Sequence, residues 1–266
     1  DRMRQISPKL LFAVDGYRYG GKDFDRCEVL AEILRGLPSV EAVIFLPYLN
    51  PSLSADALQV RDGVSVTLYA DAIREPAPLT FEAVPFEHPL WIVYSSGTTG
   101  MPKPIVQSQG GIVLQTLKFC LLHADVDASD RLLWFTSTSW IMWNFVVNCL
   151  QTGTTILLFD GNPGYPDART LWRFVARERA TFFGTSPAFI SLCVKAGLQP
   201  KQAFDLSALK TVGSTGSPLS ADLYRWIYEN VHPDVMLAVI SGGTDFCGCF
   251  LSACPILPVY AGEMTC

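Results

Sequence analysis

Residues 94–105, read as YSSGTTGMPKPI, constrain this chain more than any other stretch. An apolar run at residues 89–94 predicts a strand that leads directly into a loop of small residues, Ser95, Ser96, Gly97, Thr98, Thr99 and Gly100. Glycines allow positive φ, so main-chain N–H groups can close on a ligand without side chains in the way. Lys103 adds a compact positive charge at the far end of the loop. The stretch therefore predicts a polyphosphate-binding loop after a strand.

A P-loop is a poor fit to this stretch. That motif, G-x-x-x-x-G-K-[ST], places its lysine at the start of a helix. Here Gly97 and Gly100 are three positions apart and Lys103 follows three positions later, between Pro102 and Pro104. Prolines on both sides of the lysine exclude a helix at that point.

Composition excludes several classes of protein. The 266 residues are 49% hydrophobic, enough for a large core, and carry a net charge of −5, so no basic surface for nucleic acid is predicted. The longest apolar segment, residues 140–150, is interrupted by Asn144 and Asn148 and is too short for a membrane span. Eight cysteines are scattered without paired metal-ligand spacing, which predicts reduced thiols and a cytosolic protein. Metalloprotease and serine hydrolase motifs are absent from the sequence.

Apolar strands alternate with amphipathic helices along the chain. We predict a first α/β segment at residues 1–74, a proline-bearing linker at 75–89, and a nucleotide- and acyl-binding segment at 90–266. The predicted strands are 9–14, 42–46, 64–69, 131–136, 154–159, 181–185, 209–212 and 235–240, and the principal helices are 109–123, 169–179 and 220–230. A helix is also predicted to begin within 137–140, and another is expected to be capped by Asp23 or Asp25. This alternation predicts an α/β fold of layered, mostly parallel sheets flanked by helices.

Three predicted strands end in loops of small polar residues: the stretch above, residues 213–218 (GSTGSP) and residues 241–245 (SGGTD). Because ligands of parallel sheets gather at the carboxyl ends of strands, we expect these loops to form one site.

The string SSGTTGMPKPIV resembles the phosphate-binding signature of the adenylate-forming, or AMP-binding, enzymes. Most members have glycine where this chain has Pro104. With proline at this position, the signature is most similar to that of the acetoacetyl-CoA synthetases within the family. The resemblance implies that the loop from Ser95 to Gly100, with Lys103, binds the phosphates of ATP. It further implies that Lys103 and Thr244 are catalytic.

The other loops also acquire roles from the resemblance. It implies adenine or AMP contacts for Gly216, Ser217, Pro218, Ser241, Gly242, Gly243 and Thr244, with Thr244 at the α-phosphate. Asp245 would help to bind Mg²⁺, where most relatives have glutamate. A carboxylate together with phosphate oxygens is suitable for that ion.

Two further sites are implied. Trp140 matches an aromatic segment beside the acyl pocket, although an indole in an apolar stretch is also typical of a core. Gly242 stands where acetate-specific relatives have tryptophan, which would leave room for a longer acid. Arg18 and Lys22, in the turn YRYGGK, would contact the phosphates of coenzyme A; from residue types alone this is a solvated turn.

The resemblance covers nearly all of the chain, as an interior piece of the family's sequence. The ribose-binding aspartate, the hinge and the small domain with the adenylation lysine are not found in these residues. The expected function is an AMP-forming acid–CoA ligase that activates acetoacetate with ATP and Mg²⁺ and transfers it to coenzyme A. The alternatives are a truncated, inactive nucleotide-binding remnant and another short-chain acyl-CoA synthetase.

Overall fold

A computed structural model describes residues 1–95 and 100–265 as a mixed α/β structure. The chain divides into two compact units. The first comprises residues 1–84 with 94–104, and the second comprises residues 85–93 with the chain from residue 105 onward.

The first unit is built on a three-stranded parallel sheet in which β4 (Ala42–Leu46) lies between β1 (Leu10–Val14) and β5 (Ser65–Leu68). Helix α1 (Cys27–Arg35) buries Leu30 and Leu34 against this sheet, and Val40 and Phe45 are fully buried in the same cluster. Its elements are β1 (Leu10–Val14), β2 (Gly16–Tyr19), β3 (Lys22–Asp25), α1 (Cys27–Arg35), β4 (Ala42–Leu46), β5 (Ser65–Leu68) and α2 (Tyr69–Ala72), with 3₁₀ turns at Met3–Gln5 and Ala55–Ala57.

The predicted turn YRYGGK is the tip of an antiparallel hairpin, β2–β3. Gly20 and Gly21 have φ of 59° and 78°, a conformation that glycine adopts without strain. The helix expected from Asp23 or Asp25 begins later, at Cys27, because both aspartates lie in β3. Asp25 still caps it in part, since its Oδ1 accepts a hydrogen bond of 2.9 Å from the Cys27 N–H.

Asp15 joins β1 to the loop after β4. This residue is 2% exposed, and its carboxylate accepts hydrogen bonds from the main-chain N–H groups of Tyr48, Leu49 and Asn50 at 2.6, 2.9 and 2.7 Å. Burial raises the pKa of this carboxyl, but the three hydrogen bonds outweigh it and the pKa lies below its ordinary value.

A two-stranded sheet of β6 (Pro89–Ser95) and β7 (Lys103–Ser108) carries the predicted phosphate loop between its strands. The strand expected before that loop is therefore present. Ser96, Gly97, Thr98 and Thr99 lie outside the described residues.

The second unit is built on a five-stranded parallel sheet in the order β12 (Met236–Val239), β11 (Thr211–Ser214), β10 (Phe182–Thr185), β8 (Arg131–Trp134) and β9 (Thr155–Leu157). Two further strands, β13 (Ser241–Gly243) and β14 (Gly248–Leu251), form an antiparallel hairpin. The elements are α3 (Gln109–Phe119), β8 (Arg131–Trp134), α4 (Ile141–Asn148), β9 (Thr155–Leu157), α5 (Thr170–Arg177), β10 (Phe182–Thr185), α6 (Pro187–Lys195), α7 (Pro200–Ala203), β11 (Thr211–Ser214), α8 (Ala221–Asn230), β12 (Met236–Val239), β13 (Ser241–Gly243) and β14 (Gly248–Leu251), with a π turn at Cys120–Ala124 and a 3₁₀ turn at Cys149–Thr152.

Both faces of this sheet are covered. Leu133 and Phe183 pack on one face with α5, α6 and α8, and Leu132 and Phe182 pack on the other with α3 and α4. This two-sided burial explains why the strands are almost continuously apolar. The predicted fold class, mostly parallel sheets flanked by helices, is confirmed.

Trp134 has a specific place in the sheet. Its indole ring lies over Gly184 and Gly213, and a Cβ on either glycine would collide with the ring. The two glycines face each other in the β10–β11 register, so together they make space for one large side chain.

Among the helices of the described residues, none has the length and apolar character that a membrane span needs.

Candidate functional site

The second unit contains a cavity of about 350 Å³ beside the carboxyl ends of β11 and β12. This volume lies in the usual range for small-molecule sites. All eight residues that the sequence assigned to adenine, AMP or acyl contacts line it: Trp140, Gly216, Ser217, Pro218, Ser241, Gly242, Gly243 and Thr244.

The two polar loops are adjacent because their strands are adjacent. β11 pairs with β12 in parallel, so residues 215–218 and 240–244 leave the sheet at the same edge. Hydrogen bonds extend the pairing beyond the strands: Ile240 N donates to Ser214 O at 2.9 Å, and the Thr215 hydroxyl donates to Ile240 O at 2.7 Å. The two loops are thus held together by hydrogen bonds where they leave the sheet.

Trp140 precedes α4 and forms a wall opposite the first of these loops. It has extended backbone dihedrals, φ −107° and ψ 144°, so the helix predicted to start within 137–140 begins at Ile141 instead. Trp140 lines the cavity, and its role in an acyl pocket stays a prediction.

Gly242 lies in a hairpin that the sequence did not reveal. Ser241–Gly243 was predicted as part of a loop, but it forms β13 and pairs with β14, with a register shift between Ser241 and Gly242. A Cβ on Gly242 would collide with the carbonyl oxygen of Gly248 on the partner strand. Glycine is therefore required here by the close backbone approach, whatever its effect on pocket length.

Asp245 is the second residue after β13 and is exposed to solvent. The Asp245 carboxylate lies beside Gly243, since a Cβ on that glycine would collide with Asp245 Oδ1. Thr244 is half-buried, and its carbonyl oxygen accepts a hydrogen bond of 2.8 Å from Gln107 Nε2.

The helical part of the cavity wall was not predicted from the sequence. α3 contributes Gln115, Thr116 and Phe119, α4 contributes Ile141, Met142, Phe145 and Asn148, and the chain near its C-terminus contributes Met264. Spacings of three and four place such side chains on one helix face, but that pattern is equally typical of a core. Phe119 and Phe145 meet edge to face, with ring centroids 5.0 Å apart.

Two thiols also line the cavity, those of Cys247 and Cys249. Burial raises the pKa of Cys247 to about 11. Burial also raises the pKa of Cys249. Both thiols are therefore protonated at neutral pH and contribute weakly polar surface rather than charge.

The remaining predicted residues belong to the first unit. Lys103 begins β7, is exposed, and has no acidic partner among the described residues. Arg18 pairs with Asp23 across the β2–β3 hairpin, with Nη2 3.0 Å from Oδ2, and Lys22 is exposed at the same hairpin.

The described residues contain no group of three or more His, Cys, Asp or Glu side chains that could hold a metal ion. Mg²⁺ is commonly bound by one or two carboxylates, with its other ligands supplied by waters and phosphate oxygens.

The parallel sheet and the cavity at its strand ends are typical of a small-molecule binding domain. Comparison with known families identifies its class: the model for the AMP-binding enzymes matches residues 2–262. The chain belongs to that family.

Several relatives share one name. The chain is 40% identical over 266 residues to the acetoacetyl-CoA synthetase of Mus musculus and 42% identical over 264 residues to that of Rhizobium meliloti. The structure is similar to acetoacetyl-CoA synthetase from Streptomyces lividans, with a TM-score of 0.90 and 48% identity. Each comparison covers 99% of this chain and 40% of the relative, so the chain spans about two fifths of their length.

Proposed function

We propose that this chain is the nucleotide- and acyl-binding part of an AMP-forming acid–CoA ligase that acts on acetoacetate. The observation that carries the proposal is the cavity at the β11 and β12 ends, where eight residues from three separate stretches meet. The names of the relatives support acetoacetate as the acid.

The reaction has two displacements. In the first, a carboxylate oxygen of the acid attacks the α-phosphorus of ATP, the bond to the β-phosphate breaks, and pyrophosphate leaves. In the second, the sulfur of coenzyme A attacks the acyl carbon, AMP leaves with the bonding electrons, and the thiol proton passes to solvent.

The chain's own residues would bind and orient the nucleotide. Gly216, Ser217 and Pro218 would lie along adenine, and the segment from Ser241 to Thr244 would contact AMP, with the Thr244 hydroxyl at the α-phosphate. Ser95 to Gly100 would donate to the outer phosphates, while Lys103 neutralises charge on the leaving pyrophosphate. Donors placed where charge develops are worth several kcal/mol in such displacements.

Asp245 would hold Mg²⁺. Its carboxylate is exposed and the neighbouring Gly243 carries no side chain, which suits an ion shared with phosphate oxygens. Mg²⁺, when bound, would neutralise phosphate charge.

The acid would lie against the apolar wall near Trp140, with Gly242 leaving room for a chain longer than acetate. Arg18 and Lys22 would contact coenzyme A phosphates, for which Arg18 must exchange its partner Asp23 for the ligand. The scattered, unpaired cysteine pattern supports a cytosolic location for such an enzyme.

An ATP–pyrophosphate exchange assay with acetoacetate and Mg²⁺ tests the proposal. Exchange by the purified chain, with acetate and butyrate as comparison acids, would support a ligase with that preference. Release of ADP with a phosphorylated product would instead indicate a kinase and overturn the proposal.

The second candidate is a nucleotide-binding remnant without activity, for which the cavity at the β11 and β12 ends would serve for binding alone. It predicts ATP binding by calorimetry with no exchange. Exchange that appears on adding the remaining part of the Streptomyces lividans enzyme would identify a complementable ligase core instead.

A further inference from the structure

The side chain of Gln107, on β7, connects three parts of the second unit. It is 7% exposed. Its Oε1 accepts a hydrogen bond of 2.6 Å from Trp91 Nε1. Its Nε2 donates to Thr244 O at 2.8 Å and approaches Asp245 O at 3.4 Å.

The chemistry of the partners fixes the orientation of this amide. The indole N–H of Trp91 can only donate, so the atom facing it must be the amide oxygen. The two main-chain carbonyls can only accept, so the atom facing them must be the amide nitrogen.

Few other described hydrogen bonds hold the main chain of Thr244 and Asp245 in place. Residues 241–243 pair with β14, but that pairing ends at Gly243. In the turn that follows, Cys247 N donates to Thr244 O at 3.4 Å, a long hydrogen bond. Gln107 therefore provides the shorter of the two described hydrogen bonds to Thr244 O.

We propose that Gln107 is a positioning residue that sets the main chain of Thr244 and Asp245. Because it contacts carbonyl oxygens, the Thr244 hydroxyl and the Asp245 carboxylate stay available for a ligand. Its consequence for ligand binding rests on the proposed function, in which these two side chains meet the α-phosphate and Mg²⁺. Gln107 itself touches neither.

Two variants test separately the hydrogen bond of the amide oxygen with Trp91 and that of the amide nitrogen with Thr244. Gln107→Glu keeps an acceptor for Trp91 but places an oxygen against Thr244 O. Trp91→Phe removes the indole donor and leaves Gln107 able to donate to Thr244 O. The relevant readout is hydrogen exchange of amides 244–247 in the absence of any ligand, with amides of α8 as a measure of global folding.

We expect exchange of amides 244–247 to be roughly tenfold faster in Gln107→Glu, and less than about threefold faster in Trp91→Phe, with α8 unchanged. Exchange equal to wild type in Gln107→Glu would overturn the proposal, as would equal acceleration in both variants. If α8 loses protection in Gln107→Glu, then Gln107→Asn, too short to span both partners, takes its place with the same expectation.

ATP binding with Mg²⁺, measured by calorimetry, then tests the functional consequence. Gln107→Glu is expected to bind about tenfold more weakly than Trp91→Phe. A wild-type chain that fails to bind ATP would contradict the proposed function, whereas the exchange experiment decides the role of Gln107 separately.

Discussion

The indole ring of Trp140 lies against Gly216: a Cβ added to this glycine would be 3.7 Å from ring atom Cζ2 and 3.8 Å from Cη2. The space is sufficient for a methyl group, so the requirement for glycine comes from the backbone. Gly216 has φ of 98°, which side-chain-bearing residues rarely adopt.

Gly216→Ala should therefore destabilise the second unit through backbone strain rather than through a clash. We expect a loss of about 1–2 kcal/mol in the free energy of unfolding, measured with denaturant. Gly164→Ala is the control, because Gly164 does not have a positive φ and an added Cβ would be 3.4 Å from the nearest atom. Equal losses in the two variants would contradict the strain argument.

Gly242→Ala should act differently, because its Cβ would meet the backbone of Gly248. Backbone cannot move aside as a flexible side chain can, so the β13–β14 pairing should open locally, at a cost of about 1–3 kcal/mol. Hydrogen exchange of the β14 amides would detect the opening. If the pairing is unchanged in Gly242→Ala, then Gly242→Trp can be used to test whether a side chain here shortens the pocket. If the pairing opens, any change in substrate length in Gly242→Trp would reflect disruption of the β13–β14 hairpin.

Asp15→Asn should destabilise the first unit in a pH-dependent way. The folded-state pKa of Asp15 is lowered from 3.8, so its contribution is present above about pH 4 and is lost as the pH falls through the lower folded value. We expect the variant to be less stable by about 1–3 kcal/mol at pH 7, and the difference from wild type to shrink at pH 3. Asp62→Asn, at an exposed position, provides the comparison. A difference that stays constant from pH 7 to pH 3 would show that ionisation is not the cause.

The Cys247 thiol should react slowly with iodoacetamide in the folded chain. Burial raises its pKa from 9.0 to about 11, a difference of two units, so its thiolate fraction at pH 8 should be about 100-fold smaller than that of an ordinary thiol. Peptide mass spectrometry at timed intervals gives the rate, and denaturant should remove the difference. Since the unfolded thiol ionises first, this group should also reduce stability as the pH rises from about 9 to 11. Rapid labelling at pH 8 would show that desolvation does not keep this thiol protonated.

Local patterns were sufficient for most of the fold. The run TTILLF and the segment around Met236 could be predicted as strands because buried parallel strands are apolar along their length. The helix-start serines and prolines, such as Pro187 after Ser186, also follow local rules, and Ser186 Oγ does accept from Phe189 N. Element ends were less accurate, as at Trp140, because the last residues of an element depend on neighbours that the sequence does not identify.

Long-range pairings could not be predicted. The β13–β14 hairpin depends on Gly242 meeting Gly248, and neither the string SGGTD nor the residues around Cys249 alternate in the manner of strands. Gln107 likewise has no local signal, since its partners Trp91 and Thr244 are distant in the sequence. Motif resemblance had singled out eight of the residues that line the cavity, while the helical wall with Phe119 and Phe145 had only the spacing of an ordinary core.

The cavity walls come from segments between Gln115 and Met264, so nearly the whole second unit must be in place before a ligand can bind. A small molecule that fits there selects the native form by mass action, and at 100 times its dissociation constant it should add about 2.7 kcal/mol to stability. Melting temperature is thus a gauge of occupancy for this chain. A panel of nucleotides and short acids could be ranked by thermal shift alone, without turnover.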